Sequence, residues 1–262
     1  LKISTVQEFI TTVESICKKW NGFSKTTSHP WFRGQVNSDW GLLPKIYRGS
    51  ENSKYEREMF RDFKLRASAY IETMPKNDME WLFIMQHYGM PTRLLDWSES
   101  YLIALYFSVI SSPDTDGAVW VIEPWSLNKA FSTDMQTLPM SDMPFFNLYT
   151  LNLLADQVEE QRKIIAESPI ALRPARNSPR IIAQKGTFTI HGNAKVGLEE
   201  YAANKTGKTP NIQLEKITIG GDHKQDLLKQ LYLAGISYST VFPEIEGLSS
   251  DISYRYSQQY MG

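Results

Sequence analysis

A chain of 262 residues, 42% hydrophobic and 12% aromatic with seven Trp, has enough apolar material to bury a core without disulfides or metal. Its 28 basic and 29 acidic residues leave a formal net charge of −1, so no bulk field advertises DNA, RNA or an anionic membrane as partner. Cys17, the single cysteine, excludes an intrachain disulfide and cysteine-cluster zinc sites, and no apolar run reaches the roughly 18 to 20 residues that span a bilayer. The opening Leu1-Lys2-Ile3-Ser4 does not read as a secretory leader, which makes the cytoplasm the expected location.

In chain order, a first helix is expected from Ser4 or Thr5 as N-cap to Trp20. Its apolar face carries Val6, Phe9, Ile10, Val13, Ile16 and Cys17, so the thiol reads as buried and structural. After a polar turn, Trp31-Phe32-Arg33 reads as a strand ending at Gly34, and Trp40 to Arg48 as a loop with a short extended piece. Lys54 to Ile71 has helical spacing. Asp78 to Tyr88 is a third helix, stopped by Gly89 with Pro91 beyond. Thr92 to Asp96 forms a short strand. Ser98 then caps a helix apolar on most sides, Tyr101 to Val109.

Gly117 opens a strand, Ala118 to Glu123, and Pro124 to Pro144 reads as an excursion with few periodic signals. Tyr149 to Ala166 looks helical. Arg180 to Ala183 and Thr187 to His191 read as strands around a turn or bulge at Lys185-Gly186. Ile212 to Ile219 is a further strand. Asp222 caps a helix that stops at Gly235; Ser239 to Phe242 is extended, and a final helix follows. The pattern predicts an α+β fold, a single mixed domain over 1–262 with a central, largely antiparallel sheet flanked by helices. Residues 1–28 would form the N-terminal helix and polar turn, and 29–262 the core.

Chemistry concentrates in two places. Gln86-His87-Tyr88 ends the third helix, and a sharp turn leads into Thr92-Arg93-Leu94-Leu95-Asp96-Trp97. Alternation along the strand puts Arg93 with Leu95 on one face, and Thr92, Leu94 and Asp96 on the other. Charges inside so apolar a region need partners. Arg93 then either braces a carboxylate or offers an anion donor to a ligand. Arg33, at the end of its strand, presents a planar fork suited to phosphate or carboxylate, or stacks on Trp31 or Trp40. Gly34 admits the close approach of a ligand or of another backbone.

WFRGQ (31–35), QHYGMPTRLLDWS (86–98), ALYFS, DGAVWV, RIIAQKGTFTIHG and GISYSTVFPEIEGL together closely resemble the FRG-domain family, named for the motif that stands here as Phe32-Arg33-Gly34. The resemblance runs from about Trp31 to about Leu248 and implies a bacterial or phage-associated protein, often linked to defence. A second resemblance is to the ADP-ribosyltransferase fold. There an early strand supplies Arg or His to grip NAD, a middle strand and helix supply Ser or Tyr, and a late strand supplies Glu or Gln. Arg33, then Thr92 to Ser98 with Tyr106-Phe107 beyond, then Gln184 fall in that order.

That resemblance implies NAD as cofactor and a macromolecular acceptor, nucleic acid or protein, with the chain acting as a toxin or phage-defence effector opposed by an antitoxin. Nicotinamide departure leaves an oxocarbenium-like sugar, which calls for a diphosphate clamp, an aromatic stack and a carboxylate or amide near the ribose. Arg33, Asp96 and Gln184 are the expected catalytic residues. Arg33 and Arg93 would clamp phosphate and Tyr88 or Trp97 would stack, while Gln35, His87, Thr92 and Ser98 complete the expected NAD-binding set. Gln184 stands where many transferases have Glu, so Asp96 is the alternative proton acceptor. The rival readings are a module that senses a nucleotide or phosphate ligand without catalysis, and a nucleic-acid-binding domain using Arg173, Arg176, Arg180 and Lys185.

The remaining candidates point to structure. Glu244-Ile245-Glu246 follows Pro243 and reads as acidic residues complementing a helix N-terminus. His29, His87, His191 and His223 share no metal-ligand spacing, so no metal is expected. No Gly-x-Ser-x-Gly elbow, Walker loop or dinucleotide fingerprint occurs.

Overall fold

The computed structural model describes residues 2–20, 29–49, 52–132, 138–143, 146, 149–150, 167–176, 178–204 and 211–259. Helix α1 (Val6–Lys19) starts at a reciprocal cap. Thr5 Oγ1 accepts from Glu8 N at 3.2 Å, and the Glu8 carboxylate accepts from Thr5 N at 3.3 Å. Strand β1 (Trp31–Gln35) precedes helices α2 (Glu56–Ala67) and α3 (Asp78–His87). Asn77 caps α3, and Gly89 ends the turn after it at φ +76°, a left-handed conformation that only glycine adopts freely. Strand β2 (Leu94–Ser98), helix α4 (Tyr101–Val109) and strand β3 (Gly117–Ile122) come next. After α5 (Pro124–Phe131) come β4 (Ile170–Leu172), α6 (Pro179–Ala183), β5 (Gly186–Ile190) and α7 (Leu198–Asn204). The chain then runs through β6 (Leu214–Ile219), α8 (Lys224–Leu233), α9 (Tyr238–Val241) and α10 (Ile245–Gln259).

The six strands pair antiparallel in one sheet, ordered β4-β5-β2-β1-β3-β6, so the fold is α+β. On one face α1, α4 and α8 bury Phe9, Val13, Ala104 and Leu227 against Phe32, Val119 and Ile217. On the same face, α2 and α3 pack Phe60, Leu82 and Phe83 against Leu94, Phe188 and Ile190. The opposite face carries Trp31, Leu95, Trp97 and Trp120, with Leu42, Leu127 and Leu198 over them. Helix α1 is thus integral to the core.

Several expected elements change character. Arg180 to Ala183 is helical, not extended: Pro179 opens α6, and the turn closes at Lys185, which takes a left-handed φ of 47° before β5. Ser239 to Phe242 also lies largely in a helix, α9, which begins at Ser237 with a Ser237–Thr240 capping pair. Within Pro124 to Pro144 the structure holds α5, capped by the Glu123 carboxylate, which accepts from Trp125 N and Ser126 N. Trp40 to Arg48 contains a 3-10 turn, Lys45–Tyr47. Ser98 belongs to β2 and does not cap α4, whose N-cap is Ser100. Asp222 sits in a 3-10 turn, Gly221–His223, and α8 begins after it with His223 as N-cap. Tyr149 to Ala166 lies outside the described residues except for 149 and 150.

Candidate functional site

Strands β1 and β2 share a single registered pair, Phe32↔Ser98, and then part. The Arg33 guanidinium crosses the gap. Its Nη1 donates to the Asp96 carbonyl at 2.7 Å and stands 3.5 Å from Asp96 Oδ2. A side chain thus satisfies a backbone carbonyl that the strand ladder leaves open. The parting makes a cleft of about 300 Å³, with Arg33, Asp96, Ser98 and Gln184 on its lining.

Arg33 is only 16% exposed, and its buried Nε has no hydrogen-bond partner among the described residues. Burial, aided by Arg48 and opposed by Asp96, holds its pKa below the ordinary value. A desolvated guanidinium with an unused donor is suited to an anion. Asp96, 52% exposed, accepts from Gln86 Nε2 at 2.8 Å. Thr92 Oγ1 donates to Gln86 Oε1 at 2.5 Å and accepts from Leu94 N at 3.2 Å. Ser98 Oγ donates to the Gln184 carbonyl at 2.7 Å, while Gln184 Nε2 donates to the Val241 carbonyl at 3.2 Å.

The aromatic side of the cleft is Phe107 and Phe242, edge to face at 5.8 Å. Arg180 lies over the Phe242 ring at 5.4 Å. Its Nε donates to Glu244 Oε1 at 2.9 Å and its Nη1 to the His87 carbonyl at 3.3 Å. Glu244 therefore has a specific partner in addition to its place beside a helix start. His87 Nε2 stands 3.9 Å from Glu244 Oε1, and burial, with Arg180, lowers its pKa.

The structure brings Arg33, Asp96, Ser98 and Gln184 together with the edge of Trp97, and places the other expected residues elsewhere. Arg93 precedes β2 and is fully buried, its Nε and Nη2 donating to Glu56 at 2.8 and 2.5 Å. Burial is the largest single influence and opposes its charge, but Glu56 together with Tyr47 and Tyr149 raises its pKa. Of its two readings, the carboxylate brace is the one observed. Gln35 is buried between Gly41 and Trp120, donating to the Gly41 carbonyl and accepting from the Trp120 indole. Trp97 borders the cleft, but its buried indole donates to Thr189 Oγ1. Tyr88 lines a separate apolar groove with Phe63, Tyr70 and Ile71. Thr92 reaches the cleft only through Gln86, and His87 only through Arg180.

Sequence reasoning did not name Phe242 as a site residue, and it met Gln86 only within the polar block, Phe107 only beside Tyr106 in the transferase resemblance, and Arg180 only in the basic cluster of the nucleic-acid reading. Gln86 had a signal, its place in the polar block; Phe107 and Phe242 carry none that separates them from core. Gly34 resolves to the backbone alternative, because a Cβ there would stand 1.9 Å from the Ala104 carbonyl oxygen. His191 is buried and held neutral, its pKa pushed down to about 3 by burial, then by Arg33 and Arg93. Among the described residues no His, Cys, Asp and Glu group is placed to hold a metal ion. None of their helices is long and apolar enough to cross a membrane.

The fold is thus an antiparallel-sheet α+β protein whose polar cleft opens between its two middle strands. The chain carries an FRG domain, whose family model matches residues 28–117. That span holds Arg33, Gln86 and Asp96 but ends before Arg180, Gln184 and Phe242. No curated protein and no solved structure matches the chain.

Proposed function

We propose that the cleft binds NAD and transfers ADP-ribose to a macromolecular acceptor, nucleic acid or protein, in a toxin or phage-defence role that an antitoxin would counter. One observation carries this reading. The early and middle segments that the transferase resemblance demands lie on neighbouring strands, β1 and β2, while the late residue, Gln184, caps α6 two residues ahead of β5 and not on a strand; together they bring Arg33, Asp96 with Ser98, and Gln184 to one cleft. Its volume is at the small end of ligand sites, so it receives the nicotinamide-ribose end of the dinucleotide, with the remainder outside.

Each group has a task. Arg33 faces the diphosphate, and Phe107 and Phe242 flank the nicotinamide ring. Ser98 and Gln184 border the ribose. A lone pair of the acceptor forms the new bond to ribose C1′ while the C1′–N bond breaks, its electron pair leaving with neutral nicotinamide. The acceptor's proton passes to Asp96, the carboxylate on the cleft lining. Labelling with a tagged NAD analogue tests this: Arg33→Ala, confirmed folded by circular dichroism, should lose the label, and Arg33→Lys should retain only part of it. Full labelling by folded Arg33→Ala would sink the assignment.

A second reading has its own support. Gln184 is an amide already engaged with Val241, and it accepts no proton. On this reading the cleft senses a nucleotide without breaking a bond. Calorimetry separates the two, since tight NAD binding with no nicotinamide released over hours favours the sensor.

A further inference from the structure

We propose that Gln86 is the positioning residue for Asp96, and that Thr92 sets which end of the Gln86 amide faces it. This rests on Asp96 being the proton acceptor of the cleft. The Thr92 hydroxyl accepts from Leu94 N and donates its single proton to Gln86 Oε1. That contact fixes the amide, and Nε2 is left to donate to Asp96 Oδ2. The donor end of the amide thus meets a carboxylate oxygen, an acceptor, and fixes its position.

The relay explains the layout of the polar block. Gln86 ends α3, the chain reverses through Gly89 and Pro91, Thr92 closes the turn, and Asp96 follows on β2. Oδ2, held by Gln86, is also the oxygen nearest Arg33. Oδ1 makes no hydrogen bond among the described residues and can turn toward an acceptor. Among the described residues two charged groups bear on Asp96: Arg33 in contact and Arg48 through its field. Neither fixes the rotation of the carboxylate as the Gln86 amide does.

A double-mutant cycle tests the assignment. Gln86→Ala should lower kcat roughly 10- to 100-fold, the scale of a misplaced reacting group, with KM for NAD within about twofold. Thr92→Val should show a smaller loss in the same direction. In an Asp96→Asn background, Gln86→Ala should cost nothing further, because the residue acts only through that carboxylate. Equal losses in both backgrounds, or unchanged kcat, would overturn the proposal. The side-chain amide protons of Gln86, followed by NMR, give a readout that needs no turnover. They should move on Asp96→Asn and on Thr92→Val. An unmoved signal defeats the relay even in an active enzyme. A moved signal in a protein that never releases nicotinamide upholds the relay and removes the transferase reading instead.

Discussion

Arg33 and Arg93 bring the same charge to the same sheet and meet opposite surroundings. Arg93 gives two donors to Glu56 inside the core, so the pair must be judged as a buried ion pair, where each charge is costly without the other. Glu56→Gln should therefore destabilise the fold by about 3–5 kcal/mol in urea unfolding, while replacing both partners with Met and Leu should cost less. Asp96→Asn should barely change stability, since the carboxylate is half exposed, yet it should slow ADP-ribose transfer by roughly 10²- to 10⁴-fold, to a residual rate. His191 adds a pH dependence. Unfolded, it takes a proton near 6.5; folded, only near 3. The native state binds fewer protons in that window, so the contribution is complete above about pH 6.5 and is lost as pH falls toward 3. Urea midpoints at pH 7, 6, 5 and 4 should fall more steeply for the wild type than for His191→Asn.

At the scale of elements, legibility followed length and cap chemistry. α1 is amphipathic enough for periodicity to show, α4 is a long apolar run behind a serine, and Thr5, Asn77 and Gly89 mark ends in the expected residue types. α6 and α9 have five and four residues, too few for a 3.6-residue period to separate from alternation, so both read as extended. α5 was missed because its cap is Glu123 ahead of Pro124, outside the usual Ser, Thr, Asp and Asn signal. β4 and α7 gave no strong pattern. Gly34 shows how an element contact governs the motif: β1 and α4 meet backbone to side-chain-free backbone, with no room for a methyl group. Gly34→Ala should push α4 off the sheet and cost about 1–3 kcal/mol or more, read as a lower thermal midpoint. It should also weaken NAD binding, because Ala104 and Phe107 line the cleft from the same helix.

Across the whole molecule, the site is assembled from distant segments. Half of it was legible, because Arg33 and Asp96 sit in blocks dense enough to stand out. The rest was not, because the positions of Arg180 and Phe242 depend on sheet order, which no local pattern encodes. The arginine cluster near residue 180 shows the same limit: Arg173 and Arg176 both pair with Glu99, and Arg180 with Glu244, so the apparent basic stripe is largely offset in space. The family match ends at residue 117, yet the sheet does not. β2 is joined to β5 by five registered pairs and β3 to β6 by six, against one between β2 and β1. A fragment of residues 28–117 would lack β3 except for Gly117, leave the outer edges of β1 and β2 unpaired, and lose Phe242 and Arg180 from the wall of the cleft. It should remain unfolded when expressed alone, with collapsed amide dispersion in NMR and no protection from hydrogen exchange. Adding a chain of residues 118–262 in trans should restore dispersion only if the β2–β5 and β1–β3 ladders form between the two chains. A fragment 28–117 with native-like dispersion by itself would show that β1, β2 and α4 are a self-sufficient unit and that the later strands are additions to it.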